Sequence, residues 1–170
     1  MPPPPVEISD AQIERAIQKS VGEVLSTMAG EKVEFVGRTP NPPLHSRPDI
    51  AGSHIVASVG FIGDLEGIIN THFDDNVALK ISSKMLGMSE AEVTSSGVLT
   101  DSMGELANMI TGVFKNSLVE AGYVCKLTLP SIIRGSDFHV DHALKSGRRY
   151  IFNFQCLGHA IVTDIIMEQD

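Results

Sequence analysis

The sequence predicts an α+β domain, in which a mostly antiparallel β-sheet packs with long helices. Two observations support this fold class. Helical and β-rich segments are grouped along the chain and do not alternate as β-α-β units. Neighbouring β-rich segments are also joined by glycine-containing turns, which is typical of antiparallel hairpins. A chain of 170 residues has the length of one domain.

Four segments have helical periodicity. Serine or aspartate side chains suited to capping precede the first three, at Ser9, Asp74 and Ser89. Glycine follows the first, second and fourth segments, at Gly30, Gly87 and Gly122. The first helix is predicted at about 10–29, the second after 74–76, a short third from Ser89, and the longest at about 97–121.

The β-rich runs surround these helices. They lie at 33–36, 53–61, 67–73, 125–133, 149–157 and 160–167. Gly63 and Asp64 supply a turn between the second and third runs, so we expect an antiparallel hairpin there. Four prolines mark residues 38–48 as a loop within the Pro-rich stretch 38–52, to which the sequence assigns no role.

Composition and charge exclude several classes of protein. With 42% hydrophobic and 20% charged residues, the chain is too apolar for a disordered protein. Its 13 basic and 21 acidic residues give a net charge of −8, so we expect neither nucleic acid nor an anionic membrane as a partner. Every apolar run is far shorter than the roughly 18 residues of a membrane span.

The termini and cysteines indicate compartment and domain organisation. Residues 1–8 read as a flexible Pro-rich arm, followed by a single domain over 9–170. The arm lacks the basic and apolar regions of a secretory signal, so we expect a cytoplasmic protein. Cys125 and Cys156 lie in apolar runs without CxxC spacing, which favours buried free thiols over a disulfide or zinc site.

The longest helix carries a polar stripe, which consists of Asp101, Glu105, Asn108 and Gly112. At 100° per residue these four positions fall within roughly 60° of one another. The apolar side chains of the helix cluster on the opposite side and account for its core contacts. The pattern alone favours a solvated helix surface, since acidic and amide residues are common on exposed helices.

Two glycines inside this helix favour a docking surface. Gly104 and Gly112 each cost roughly 1 kcal/mol relative to alanine in a helix interior. That cost is understandable where another backbone must approach closely, in a partner or in the same molecule. Tight packing within the molecule is the alternative, and Gly104, next to Met103, is the candidate for it.

At this helix the sequence resembles a known family. Residues 101–112 carry an Asp-x-x-x-Glu-x-x-Asn pattern that is similar to the signature of the CheC/CheX/FliY phosphatases of bacterial chemotaxis. The resemblance extends to Gly67, to 118–123 and to 129–135, and covers most of the chain from about residue 10. CheC-type members carry the signature twice, and this chain has it once, as in CheX.

The resemblance implies hydrolysis of the aspartyl phosphate on a phosphorylated CheY-like receiver. It implies that Asn108 orients the attacking water and that Glu105 pairs with a lysine of the receiver. Asp101 and Gly112 are the expected partner-binding residues. Mg²⁺ would belong to the receiver, with no cofactor or metal bound by this chain. Related proteins form homodimers, and the strand-rich region 156–166 is the candidate dimer edge.

Two other interpretations stay open. A non-catalytic receiver-binding or scaffold module could have the same fold, although it would need neither Glu105 nor Asn108. A metal-dependent module could use His139, Asp141 and His142, a set of ligand types found in metal sites. That segment lies in a polar connection, where paired histidines are commonly solvated. His54, His72 and His159 lie in or beside strands, where we expect satisfied structural histidines.

Overall fold

The computed structural model describes residues 7–46, 48, 50, 52–136, 138, 140 and 147–168. Within these residues, four helices pack on a seven-stranded sheet, as the predicted α+β class requires. The elements in chain order are α1 (Asp10–Ala29), β1 (Glu34–Thr39), β2 (His54–Gly63), β3 (Gly67–Asp74), α2 (Asp75–Leu86), α3 (Glu90–Ser96), α4 (Leu99–Glu120), β4 (Cys125–Leu127), β5 (Ser131–Gly135), β6 (Gly147–Cys156) and β7 (His159–Glu168).

The helix ends follow the predicted capping residues. The Ser9 side chain accepts a hydrogen bond from the backbone of Gln12, whose own side chain bonds back to Ser9 in a capping box. The side chains of Asp74 and Ser89 accept hydrogen bonds from the backbone N–H groups of Asn76 and Glu92 and so cap α2 and α3, without a capping box. Gly30 and Gly87 adopt the left-handed conformation that ends α1 and α2. The cap residues therefore specify where these helices begin and end.

The strands form one antiparallel sheet in the order β1-β6-β7-β3-β2-β4, with β5 also paired to β2. The predicted β2–β3 hairpin is confirmed, and its register joins Phe61 to Gly67 and His54 to Asp74. β1 extends to Thr39, so the first two residues of the predicted loop belong to a strand. A register shift between Phe35 and Gly37 marks a bulge in β1.

Two strand predictions are wrong. The run 125–133 forms two short strands, because Pro130 lacks an N–H for the sheet ladder and the chain turns a corner there. The region 156–166, expected at a dimer edge, lies inside the sheet: β7 is hydrogen-bonded on both sides, to β6 and to β3. The edges of the described sheet are β1 at one side and β4 with β5 at the other.

The main core lies between the helices and one face of the sheet. Side chains alternate along each strand, so every second residue points to the helices. The largest fully buried side chains on this face and on the helices include Phe61, Phe73, Phe114, Phe152, Ile13, Ile17, Leu25, Ile55, Ile69, Ile81, Met103 and Leu106. This apolar layer fixes α4 against the sheet and leaves its polar stripe outside.

The opposite face of the sheet, here called the second face, is also buried. It carries an ion pair in which Arg149 Nε and Nη2 donate to the two carboxylate oxygens of Asp164 at 2.9 and 2.7 Å. Arg149 Nη1 also donates to the Pro43 carbonyl and to Ser46 Oγ. Residues 43–46 of the Pro-rich stretch therefore lie over the second face, which gives that stretch a structural role.

The N-terminal end of the described chain is tied to β6. Ile8 is buried, and its carbonyl accepts hydrogen bonds from Arg148 at 3.1 Å. Tyr150 donates to the Asp10 carboxylate at 2.6 Å. Residues 1–6 of the predicted arm lie outside the described residues. None of the helices in the described part of the chain combines the length and the hydropathy that crossing a membrane requires.

Candidate functional site

The polar stripe lies on the outer side of α4, as predicted. Asp101, Glu105 and Asn108 are exposed and Gly112 is partly exposed, whereas Met103 and Ile110 on the other side are buried. Successive steps of four, three and four residues keep the stripe on one line along the helix. The structure therefore brings together all four residues that the sequence singled out.

The three polar side chains of the stripe are not used in contacts among the described residues. No described residue forms a side-chain hydrogen bond or ion pair with Asp101, Glu105 or Asn108. Other polar residues of α4 do have internal partners: Ser102 and Thr111 donate to the carbonyls of the preceding turn at 2.8 Å. The stripe thus presents two carboxylates and one carboxamide that are available to a partner.

The two glycines of α4 have different surroundings. A methyl group on Gly104 would lie 2.5 Å from Ile132 Cδ1, so close packing against β5 explains this glycine. A methyl group on Gly112 would meet only Leu127 Cδ1, at an ordinary contact distance of 3.9 Å. Packing within the molecule accounts for Gly104, as the alternative interpretation expected, and leaves Gly112 unexplained.

An apolar wall lies beside α4, where Gly104 faces Ile132 and Pro130 and Gly112 faces Leu127. It is formed by the β4–β5 corner, residues 128–130, together with Leu127 and Ile132 on its two sides. The corner is held to β2 by two hydrogen bonds, from Thr128 N to the Gly60 carbonyl and from Gly60 N to Thr128 Oγ1, at 2.9 and 2.8 Å. At its tip the Leu129 side chain is 89% exposed.

Sequence reasoning did not identify Leu129 as part of this surface. A leucine after a short strand gives no sign of exposure, which depends on how the chain turns at Pro130. The indirect signal was the pair of glycines eight residues apart on α4. They indicated that a backbone approaches the helix closely, and at Gly104 the approaching segment is 127–132.

The charges and hydrogen-bonding groups of the stripe limit its chemistry. Asp101 lies in the first turn of α4, where the helix dipole stabilises a negative charge. Glu105 follows one turn later and presents a second carboxylate, so the stripe favours a cationic group in a partner. Asn108 can accept and donate hydrogen bonds without acting as a nucleophile or a charge. Such a set can position a water molecule and a lysine of another protein.

No metal centre is found in the described part of the chain. There, no group of three or more His, Cys, Asp or Glu side chains could hold a metal ion. His139, Asp141 and His142, the alternative metal ligands, lie outside the described residues.

The strand histidines have structural surroundings. His54 Nδ1 lies 3.0 Å from the Gly52 carbonyl, and His159 Nδ1 lies 3.4 Å from the Asp74 carboxylate. His72 differs, because its buried Nδ1 has no hydrogen-bond partner among the described residues. Burial, followed by the charges of His54 and Arg149, lowers the pKa of His72 to about 3. The expectation of a satisfied histidine is therefore wrong for His72.

Comparison with known proteins identifies the family. A family profile described as chemotaxis phosphatase CheX matches residues 55–155, which include α4 and its stripe. The CheY-P phosphatase CheX of Thermotoga maritima is 30% identical over 131 residues, which cover 77% of this chain and 81% of that protein.

Solved structures with the same fold include one from Shewanella and one from Borrelia. A CheC-like superfamily protein from Shewanella sp. PV-4 has a TM-score of 0.78 at 24% identity, and the match covers 95% of this chain and 100% of that one. The CheX in a CheX–CheY–BeF3–Mg²⁺ complex from Borrelia burgdorferi has a TM-score of 0.72 at 23% identity, with 92% and 98% covered. The family match, over more than half of the chain, agrees with the residues of α4: this chain belongs to the chemotaxis phosphatase CheX family.

Proposed function

We propose that this protein accelerates hydrolysis of the aspartyl phosphate on a phosphorylated CheY-type receiver and so ends its signal. The observation that carries the proposal is the polar stripe of α4, in which Glu105 and Asn108 are exposed and have no internal partner among the described residues. The Thermotoga maritima relative is named for this activity, and the Borrelia burgdorferi relative was crystallised with CheY, BeF3 and Mg²⁺.

The chemistry requires little from the phosphatase. An acyl phosphate is already activated, and the receiver supplies the Mg²⁺ that neutralises its oxygens. Water attacks phosphorus, the bond between phosphorus and the aspartyl oxygen breaks, and inorganic phosphate leaves. What remains to be supplied is a water held in line with the breaking bond. Positioning of this kind lowers the barrier by removing the entropic cost of bringing water and phosphorus together.

We assign the positioning of the attacking water molecule to Asn108. Its carboxamide oxygen can accept a hydrogen bond from the water, and its amide group can donate to the phosphoryl oxygens. Because the side chain is uncharged, it does not repel the anionic phosphoryl group as a carboxylate would. A position near the middle of a 22-residue helix gives it a rigid support.

Glu105, Asp101 and Gly112 serve binding in this proposal. Glu105 forms an ion pair with the lysine of the receiver's active site, which fixes the register of docking. Asp101 contacts the rim of the interface, and Gly112 allows the receiver backbone to come close to α4. This chain contributes no metal or cofactor of its own.

The proposed setting is a single domain in the cytoplasm that acts as a homodimer. Two free, buried cysteines in the described chain, Cys125 and Cys156, are typical of a reducing compartment. Of the two sheet edges, β1 is one continuous strand of six residues, whereas the other edge is divided into β4 and β5, of three and five residues. We therefore assign the dimer contact to β1, which leaves the edge beside the stripe to the receiver.

The direct test follows loss of phosphate from a receiver of the same organism, with Mg²⁺ present. Wild-type protein should accelerate the loss, and Asn108→Ala should reduce kcat by about 100-fold while the receiver still binds. Asn116→Ala is the matched control, since Asn116 is an exposed asparagine on the same helix. Its kcat should equal that of wild type.

The same assay separates catalysis from the scaffold alternative. A wild-type protein that binds the phosphorylated receiver and leaves its decay rate unchanged would favour the non-catalytic module. Equal activity of wild type and Asn108→Ala would remove Asn108 from the mechanism and keep the phosphatase. For Glu105→Gln, the proposal requires a higher KM, because the ion pair acts in docking.

A further inference from the structure

Leu129 is an exposed leucine with no evident role in folding. At 89% exposure it is the most exposed large apolar side chain of the described residues. A side chain in this position contributes little to core burial. Single exposed apolar residues are common on proteins, so the exposure alone carries no conclusion. The conclusion comes from the location of Leu129 relative to α4.

Two contacts of α4 with the segment 127–132 define that location, a close one at Gly104 and an ordinary van der Waals contact at Gly112. Gly112 faces Leu127, and Gly104 faces Ile132 and Pro130. The chain from 127 to 132 therefore runs beside the helix from Gly112 back to Gly104. Eight residues of α-helix span about 12 Å. Asn108 is the midpoint of that span, and the β4–β5 corner with Leu129 is the midpoint of the segment opposite.

The angular positions on α4 give the same result. At 100° per residue, Asn108 lies midway between Gly104 and Gly112 around the helix axis, about 40° from each. Both glycines face the segment 127–132. Of the three polar side chains of the stripe, Asn108 is therefore on the side of the β4–β5 corner, and Glu105 is about 60° farther from it. Because Leu129 is exposed and lies between Leu127 and Pro130, we infer that it lies beside Asn108.

The corner is held in place before any partner binds. Two hydrogen bonds between Thr128 and Gly60 fix its first residue, and the ring of Pro130 restricts the backbone after Leu129. A side chain on a fixed corner loses less conformational entropy on binding than one on a free loop. Leu129 is thus arranged as a preformed contact.

We propose that Leu129 is a docking residue that packs on an apolar rim of the receiver's phosphorylation site and so holds the bound receiver beside Asn108. The inference rests on the proposed function. For Asn108 to reach a phosphoryl group, the surface around it must approach the receiver, and the neighbouring protruding side chain then meets the rim of that site. A receiver is the occupant because this wall is continuous with the stripe.

The test compares Leu129→Ser and Leu129→Met with wild type. The probe is the receiver of the same organism, phosphorylated for kinetics and loaded with beryllofluoride and Mg²⁺ for binding. Leu129→Ser should raise both KM and Kd about tenfold, the loss expected of a central interface side chain. Its Tm should be unchanged, because Leu129 is exposed. Leu129→Met should restore binding, since methionine keeps the apolar contact.

The matched control is Leu86→Ser, the same substitution at a leucine that is 43% exposed on α2. Its KM and Kd should equal those of wild type. If wild type accelerates dephosphorylation and Leu129→Ser has normal KM and Kd, the role of Leu129 is overturned and the phosphatase stands.

Binding also separates this inference from the proposed function. If wild type binds without accelerating decay and Leu129→Ser weakens binding, the phosphatase fails and the contact by Leu129 stands. If wild type neither binds nor accelerates decay, both are overturned.

Discussion

His72 has a buried imidazole ring on the second face of the sheet. Its ring centroid lies 5.4 Å from that of His54. Its low folded-state pKa means that the folded protein holds it neutral at physiological pH. In the unfolded chain the same group has its ordinary pKa near 6.5. Between these two values the unfolded state binds a proton that the folded state does not, so protonation favours unfolding.

Stability should therefore fall as pH decreases from about 6.5 towards 3. The free energy of unfolding should drop by about 2 kcal/mol between pH 7 and pH 5, at a slope that approaches ~1.4 kcal/mol per pH unit. His72→Met removes the titrating group and should flatten this part of the curve. Urea titrations at the two pH values measure the difference.

His159→Gln is the control for this experiment, because His159 is a partly exposed histidine of the same sheet. It should keep the wild-type slope. An unchanged slope in His72→Met would show that other groups carry the acid sensitivity.

The sequence predicted the exposure of some side chains and not of others. Glu105 and Asn108 could be placed on one exposed face because helical spacing alone determines which residues share a side. His72 and Leu129 could not be placed in that way. The surroundings of His72 depend on residues distant in sequence, such as His54 and Arg149, and the exposure of Leu129 depends on a corner between two strands.

At the scale of elements, α4 has two roles: one side packs in the core, and the other side carries the polar stripe. Its two glycines differ accordingly. Gly104 packs against Ile132, whereas Gly112 has room for a methyl group. Alanine at either position would gain about 1 kcal/mol in helix propensity. Only at Gly104 is that gain opposed by a contact that forces Ile132 to move.

Gly112→Ala should consequently raise the free energy of unfolding by about 0.5–1 kcal/mol, and Gly104→Ala should be less stable than Gly112→Ala. If Gly112 lets the receiver approach, the same methyl group should raise KM for the phosphorylated receiver. Thermal unfolding and dephosphorylation kinetics of the two variants measure these effects. A stabilised Gly112→Ala protein with wild-type KM would exclude Gly112 from the interface.

The ends of most elements were predictable because they are set by local chemistry. Ser9, Asp74 and Ser89 start helices through their side-chain oxygens, and these contacts lie within three residues. The division of 125–133 into β4 and β5 was missed. It depends on Pro130 and on pairing of both strands with β2, a partner more than sixty residues earlier.

At the scale of the whole molecule, the order of the strands in the sheet could not be predicted from the sequence. Repeated β-rich runs gave the antiparallel character of the sheet, whereas the neighbours of each strand follow from long-range packing. This is why 156–166 was expected at an edge and lies inside. We therefore propose the dimer contact at the edge strand β1 in place of 156–166. On β1 the Val36 side chain is 58% exposed.

Light scattering should accordingly give twice the chain mass of 18.3 kDa. Val36→Lys places a charge on each copy of β1, where like charges meet across a two-fold axis, and should shift the protein towards the single-chain mass. Val119→Lys, at a similarly exposed valine of α4, is the control and should remain dimeric. A wild-type mass of 18.3 kDa would refute the dimer, and a dimeric Val36→Lys would place its contact elsewhere.

The central position of β7 has a consequence for synthesis of the protein. β7 is the last element in chain order, yet it joins β3 to β6 along ten residue pairs on one side and seven on the other. Until residue 168 has left the ribosome, the two halves of the sheet cannot be joined. Contacts between such distant parts of a chain form slowly. Nascent chains of this protein therefore remain exposed to chaperones and proteases until translation of the domain is nearly finished.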